Sequence, residues 1–400
     1  MKHVYGQQMI SYHFPSESLA TVSIPPESGL RRKMPRPENL RQPGYEDEFD
    51  FYTINFDCFW SDESTISLIG PPRLGFKNLT QENTFSFYDA TDRPIKVSRD
   101  NMHLRPGKRQ HEWTINGVPS EVQKMGFAYG KIGNFKRNIS PAGSQLFAGK
   151  RALMTIFKYD PLPWIKEWAS FYVGYHATNA ILLYNNGATD FTSKELIEAL
   201  SDIKGLELVV VVDWPFPYGP QAGFSNQWDS TYCQTGAMQH AFKRFLRQSK
   251  SVINQDIDEL SVHTSHQSLH ELVEAAPGNY LMFNGIWATH EGADTDLPVL
   301  QNRLHRDYIF NELDKDKRQY CGEKWAVVPK ACPPEAQWRA HRIACMDEPE
   351  NSIAGLQYRH FRNLTMRWKP NGEERACTEF PNYHKDTALE EAFKRLGWRD

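Results

Sequence analysis

Three carboxylates crowd into four positions at Asp256-Ile257-Asp258-Glu259. The apolar β-branched pair Val252-Ile253 leads into them, so they close a strand. Read as extended chain, period two sets Asp256 and Asp258 on one side and Ile257 on the other. Adjacent carboxylates make each other harder to ionise, and a divalent cation removes that penalty. Hard oxygen ligands suit Mn²⁺ or Mg²⁺. The plain alternative is a polar turn at a strand end, where Asp is frequent.

Such an ion needs a further ligand from elsewhere in the chain. Of fourteen His residues, two stand among Arg and aromatic residues, a setting that suits a phosphate and a ring. They are His341, in Trp338-Arg339-Ala340-His341-Arg342, and His360, in Tyr358-Arg359-His360-Phe361-Arg362. His341 is the expected ligand beside Asp256 and Asp258. His360 is the competing choice, and either could be a surface residue.

The elements that must position these groups begin near residue 151, where strands and helices alternate. Ala152 to Phe157 is a buried-type strand, and Pro161-Leu162-Pro163 opens a helix through Trp164 to Tyr172. The strand Ala180 to Tyr184 ends in the turn Asn185-Asn186-Gly187-Ala188-Thr189-Asp190. A helix from Ser193 to Leu200 follows, with Ser193 as the expected N-cap. The strand Leu208 to Val212 ends at Asp213-Trp214-Pro215, and a long amphipathic helix is predicted around Thr231 to Ser249. The strand into Asp256 comes next. This alternation predicts right-handed βαβ units and a mostly parallel sheet. Ligands of such sheets bind outside the carboxyl ends of the strands, where Asp160, Asn186, Asp213 and Asp256 fall. Asn186 and Asp190 could hydrogen-bond a nucleobase or ribose, although Asn-Asn-Gly also encodes a β-turn by itself. Further on, Asn279 to Gly285 and Lys324 to Val328 read as strands, and Leu389 to Leu396 as a final helix.

The expected layout has three parts. Residues 1–48, rich in Pro, Ser and charge, form an extended arm carrying the basic cluster Arg31-Arg32-Lys33-Met34-Pro35-Arg36. Residues 49–150 form a β-rich subdomain. Its period-two runs are Phe51 to Phe56, Ser64 to Ile69 and Thr84 to Tyr88. Residues 151–400 form the α/β domain.

Composition excludes several classes. A net charge of -3 with both signs interspersed leaves no footprint for a polyanion, so no nucleic-acid partner is expected. The six Cys include no C-x-x-C pair, which argues against a zinc site or a disulfide framework. The start of the chain has no apolar leader, and no run of eighteen apolar residues occurs. The expected location is cytoplasmic, with a peripheral contact at the inner face of a membrane left open by the basic cluster. Aromatic residues make up 13% of the chain, which fits stacking on sugars and equally fits large cores.

Taken in order, the stretch Asp160 to Glu259 resembles the glycosyltransferases of GT-A fold, especially the family-2-like and family-92-like group with a DxD motif. That group has a Trp-containing helix before a His, here Glu167-Trp168 and Tyr175-His176. An acidic amide-rich turn follows, here Tyr184 to Asp190, then the loop Trp214-Pro215-Phe216-Pro217-Tyr218-Gly219. A helical Gln, here Gln234, precedes the DxD segment Asp256-Ile257-Asp258-Glu259. Downstream, Lys324-Trp325-Ala326-Val327-Val328-Pro329 with His341, and Tyr358 to Arg362 with Lys369, are similar to two further family segments. Asn185 replaces the acidic residue usual in the turn, and the order of Tyr, His and Arg around His360 is altered.

The resemblance implies a GT-A glycosyltransferase domain of hexosyltransferase type behind an N-terminal β-rich subdomain. It implies transfer of a sugar from a nucleoside diphosphate sugar, UDP-linked, to a hydroxyl of a glycan or glycolipid, with inversion and with Mn²⁺ or Mg²⁺. Lys158, Asp160, Asn186, Asp190, Asp213, Gln234 and Asp256 would then line the nucleotide, and Asp256, Asp258 and His341 would hold the metal. Inversion needs a base beside the acceptor. Glu291 and Asp294 are the candidates, in an acidic loop after Trp287, whose ring could stack on a sugar. The alternative is a non-catalytic carbohydrate-binding or assembly protein on the same scaffold. A nucleotidyltransferase ranks last, because Phe157-Lys158-Tyr159-Asp160-Pro161 is not a Gly-rich phosphate loop.

Overall fold

The apolar runs after residue 150 form the strands their composition predicts. In the computed structural model these are Arg151–Phe157 (β1), Ala180–Asn185 (β2), Leu208–Asp213 (β3) and Ser251–Asn254 (β4). They lie parallel in the order β3-β2-β1-β4. Val209, Val210 and Val211 are all fully buried, so β3 is covered on both faces. The structure describes residues 9–41, 43–79, 81, 84–220, 230–289, 303–312, 320–347, 349, 353–361 and 383–400.

Two helices connect the first three strands. Leu162–His176 (α1) starts after Pro161 and ends at Ala177, which takes a left-handed φ of 55°. Ser193–Leu200 (α2) is capped by Thr192, not by Ser193 as predicted. The Thr192 hydroxyl accepts the Glu195 N–H, and Glu195 reaches back to the Thr192 N–H. The cap sits one residue earlier because Thr192 is extended (φ -88°, ψ 159°) and Ser193 is already the first residue of the helix.

Beyond β4 the chain doubles back. The strands are Glu259–His263 (β5), Tyr280–Thr289 (β6), Phe310–Glu312 (β7), Tyr320–Val327 (β8), Leu356–Phe361 (β9) and Tyr383–Lys385 (β10). Leu269–Ala275 (α3) lies between β5 and β6, and Thr387–Arg395 (α4) follows β10. β8 pairs antiparallel with both β4 and β6. β9 runs antiparallel to β5 and parallel to β6. With Ile10–Phe14 on the far edge beside β3, the sheet has eleven strands among the described residues. The predicted parallel sheet is thus a four-stranded block extended largely by antiparallel strands. Its core draws on α1 (Trp168, Phe171, Tyr172), the strands (Leu153, Ile181, Val211, Ile253) and α4 (Leu389, Phe393).

Contacts sort the chain into two compact units that are not single stretches. One comprises Met1–His13, Phe147–Asp213 and Gln248–Asp400, and the other Phe14–Leu146 and Trp214–Arg247. The sequence layout had placed residues 214–247 in the α/β domain. Their packing explains the difference: Phe56 packs at a tilt against Trp214 (5.2 Å) and Phe216 (4.5 Å), and a Cβ on Gly236 would stand 2.3 Å from the Phe56 ring.

This second unit is built largely of β-strands. One four-stranded sheet joins Asp57–Trp60, Ile66–Gly70, His111–Ile115 and Met102–Arg105, and another is built on Lys124–Ala128. Part of the predicted arm is packed into it. Val22–Ser23 pairs with Thr53–Asn55, and Leu19, Ala20, Val22 and Ile24 are buried. Arg32 is buried too, its guanidinium donating to the carbonyls of Asp50, Pro72 and Thr53. The helix predicted around 231–249 divides into α-helix Tyr232–His240, a wider π turn Ala241–Phe245 and a 3-10 turn Leu246–Gln248. It is not amphipathic: eight of the nine α-helical residues are buried. No described helix is long and apolar enough to cross a membrane.

Candidate functional site

Strand order places the site. β2 and β3 lie on one side of β1 and β4 on the other, so the winding reverses between β1 and β4. Such a reversal opens a crevice at the carboxyl ends of the two strands. Asp160 follows β1 there, and Asp256-Ile257-Asp258-Glu259 follows β4. The half-buried Asp160 carboxyl is pushed up to about 7 by withdrawal from water, then by the negative charge of Asp258 and, less, of Asp256. Its Oδ2 accepts the Lys158 N–H at 3.3 Å.

The carboxylate segment is a turn, not the extended run that period two predicts. The Glu259 N–H donates to the Asp256 carbonyl at 3.1 Å, and the Asp256 N–H donates to Glu259 Oε2 at 2.9 Å. Ile257, 2% exposed, enters the core and anchors the turn from beneath. The chain leaves β4 here for β5, which pairs with β9 and not with β4, and period-two reasoning does not include that change of partner. From α1, the Tyr172 hydroxyl donates to the Glu259 carbonyl at 3.1 Å.

Two cations face this turn from other strands. Lys324 of β8 is fully buried, with Nζ 2.5 Å from Asp256 Oδ2 and 2.8 Å from Glu259 Oε2. Burial lifts the Glu259 carboxyl to about 7 even though Lys324 pulls the other way. His360 stands opposite Glu259 in the β5–β9 pairing and opposite Trp287 in the β6–β9 pairing. Its Nε2 lies 3.1 Å from Asp258 Oδ2, and its ring stacks on Trp287 at 4.3 Å. Burial alone would lower this imidazole; the Asp258 carboxylate outweighs it and lifts His360 to about 10. Trp287, expected to offer its ring to a sugar, therefore has one face on His360.

Asp258, Glu259 and His360 each offer a ligand atom, all within 4.8 Å of one another. His341, the expected ligand, instead meets the Glu323 carbonyl through Nδ1 at 2.9 Å and is exposed. It lies in the tight turn where the Arg339 N–H donates to the Arg342 carbonyl. Two carboxylates and an imidazole form a donor set that fits Mn²⁺ or Mg²⁺, Mn²⁺ accepting nitrogen the more readily. The charges already paired in the cluster mean that an entering cation must displace the His360 proton.

The other predicted residues distribute as follows. Lys158 Nζ lies 5.0 Å over the ring of Tyr159, which is 41% exposed at the crevice strand. The Asn186 N–H donates to the Phe157 carbonyl at 2.8 Å, tying the turn to the end of β1. Asn185 builds that turn, its Oδ1 accepting from Gly187 and Ala188. Asp190 accepts from the Thr189 hydroxyl at 3.3 Å. Asp213 belongs to a separate group, accepting from the Ser193 hydroxyl at 2.8 Å, with His13 Nε2 also 2.8 Å away. Gln234 lies on a helix of the other compact unit. Glu291 and Asp294 lie outside the described residues. Lys324 and Glu259 lie in the motif segments named above but outside the set of predicted site residues. The signal for Lys324 is a lone cation opening the apolar run Trp325-Ala326-Val327-Val328.

No family model and no curated protein matches the chain. Among solved structures the chain is similar to the apo form of a bifunctional glycosyltransferase, WbbM, with 14% identity and a TM-score of 0.28. The match covers 54% of this chain and 36% of that one, so the chain spans about a third of that protein. So loose a superposition carries no argument about fold or activity.

Proposed function

We propose that the chain is a divalent-cation-dependent glycosyltransferase that takes a sugar from a nucleoside diphosphate donor, UDP-linked, and places it with inversion on a glycan or glycolipid hydroxyl. One observation carries this reading: Asp160, Asp256, Asp258, Glu259, Lys324 and His360 converge at the crevice where the winding of a parallel sheet reverses. Asp258, Glu259 and His360 would hold the cation, which when bound would supply Lewis-acid stabilisation to a diphosphate leaving group. The protein's own groups set that charge balance. Lys324 holds Asp256 and Glu259 in place through its ammonium. Asp160 changes protonation near neutrality and so adjusts the charge of the crevice as an anionic donor enters. Glu291 or Asp294 is proposed to take the acceptor proton.

A second reading has a specific observation in its favour: Lys324 and His360 already place two cations against these carboxylates. On that reading they hold the diphosphate and the cation is dispensable.

The test is a panel of nucleotide sugars, scored by thermal shift and donor hydrolysis with Mn²⁺ or with EDTA, in wild type and Asp258→Asn. Cation-dependent hydrolysis of one donor, lost in Asp258→Asn, is expected. Donor binding that EDTA leaves unchanged would favour the second reading. No response to any donor would leave the scaffold as a binding or assembly protein.

A further inference from the structure

The turn that carries the carboxylates is held from below by a residue outside the cluster. His305 is fully buried, and its Nε2 lies 2.7 Å from the Ile257 carbonyl. A carbonyl only accepts, so this nitrogen carries a proton. Its Nδ1 lies 3.1 Å from Glu167 Oε2, which also accepts the His305 backbone N–H at 2.6 Å. Glu167, itself 2% exposed on α1, thus meets both the ring and the backbone of His305. The Arg306 guanidinium caps the other oxygen of Glu167, and Trp164 Nε1 donates to the Arg303 carbonyl at 2.7 Å. α1 thus grips residues 303–306 at three points.

The same imidazole touches the opposite wall of the site. The ring of Phe361, the residue after His360, meets His305 edge-on at 4.9 Å and 82°. The Phe361 N–H in turn donates to the Asp258 carbonyl at 2.9 Å. One buried side chain therefore supports both the turn that presents Asp258 and the strand that presents His360.

We infer that His305 is a positioning residue for the cation site, fixing Asp258 against His360 through the Ile257 carbonyl and the Phe361 ring. The inference rests on the functional reading above. Groups that hold a metal's ligands in place typically change affinity about 10–100-fold when removed.

The test measures Mn²⁺ affinity by electron paramagnetic resonance of the free ion, with thermal unfolding in parallel, on the full chain. The variants are Asp258→Asn, His305→Phe, which keeps a ring but no donor, and His305→Gln, which keeps one donor for Ile257. Both His305 variants lose the ring contact with Glu167. Only the Phe variant is expected to weaken Mn²⁺ binding, by about tenfold or more, while Gln stays within about threefold of wild type. A role in stability alone would move the two variants together. If His305→Phe does not fold, His305→Met serves as the donor-free variant. Wild-type binding abolished in Asp258→Asn but unchanged in the donor-free variant overturns the inference alone. A wild type that binds no Mn²⁺ overturns the functional reading and the inference with it.

Discussion

Lys324 sets its ammonium 2.5 Å from the Asp256 carboxylate while having almost no contact with water. The same nitrogen neutralises Glu259, which is equally buried. Lys324→Met is expected to destabilise the protein by about 3–5 kcal/mol, because an uncompensated buried charge remains. Glu259 has a native value near 7, above that of the unfolded chain, so the cost of its ionisation is present above neutrality and relieved as pH falls. Urea unfolding at pH 8 and pH 6 should therefore show the larger loss at pH 8. Equal losses would mean that the Lys324 charge is not what Glu259 needs.

Asp160 carries the opposite sign to an ordinary ion-paired carboxylate. Its native value of about 7 lies above its unfolded value, so the native state binds the extra proton and stability declines as pH rises toward 7. Asp160→Asn is expected to gain on the order of 1–3 kcal/mol over wild type at pH 8 and little at pH 4. Thermal unfolding across that range decides it; a variant no more stable at pH 8 would contradict the crowding of Asp160 by Asp258.

His360 behaves in the reverse way. Raised to about 10 beside Asp258, its protonated form contributes stability that is complete below the unfolded histidine value and lost as pH rises through 10. An imidazole must shed its proton to bind a metal. Calorimetric titration of Mn²⁺ at pH 7.5, in buffers of differing ionisation enthalpy, should show release of about one proton. Binding without release would remove His360 from the ligand set.

The reciprocal bonds between Thr192 and Glu195 are the entry to α2. Thr192→Ala is expected to cost about 1 kcal/mol, read by chemical denaturation. No measurable loss would mean that the helix start does not depend on this cap.

What could be read without a structure follows how local the cause is. Val209 to Val212 and Ile181 to Leu183 announce strands because both faces are buried and each residue shows it. Asp160 and Asp256 were legible as crevice residues, since alternation alone places them after strands. The partner histidine was not. His360 reaches Asp258 because β9 pairs with β5 in a register that sets His360 against Glu259, a choice made about a hundred positions away. His341 stands among Arg and aromatic residues just as His360 does, yet a tight turn sets it against the Glu323 carbonyl. Lys324 stayed hidden for a related reason: its strand reads as apolar, and the two carboxylates that justify its charge come from another part of the chain.

The division of the chain into interleaved units also sets a timetable for synthesis. Residues 14–146 emerge first, but the helix that completes their core ends only near residue 247. Until then Phe56 lacks Trp214 and Gly236, and Asp57 lacks both His240 and Arg244, each 2.9 Å away in the finished protein. At usual elongation rates the early strands wait roughly 5–20 seconds for that segment. A nascent chain halted inside the parallel sheet would hold both units unfinished, so neither is released as a ready-made fragment by a single early stop.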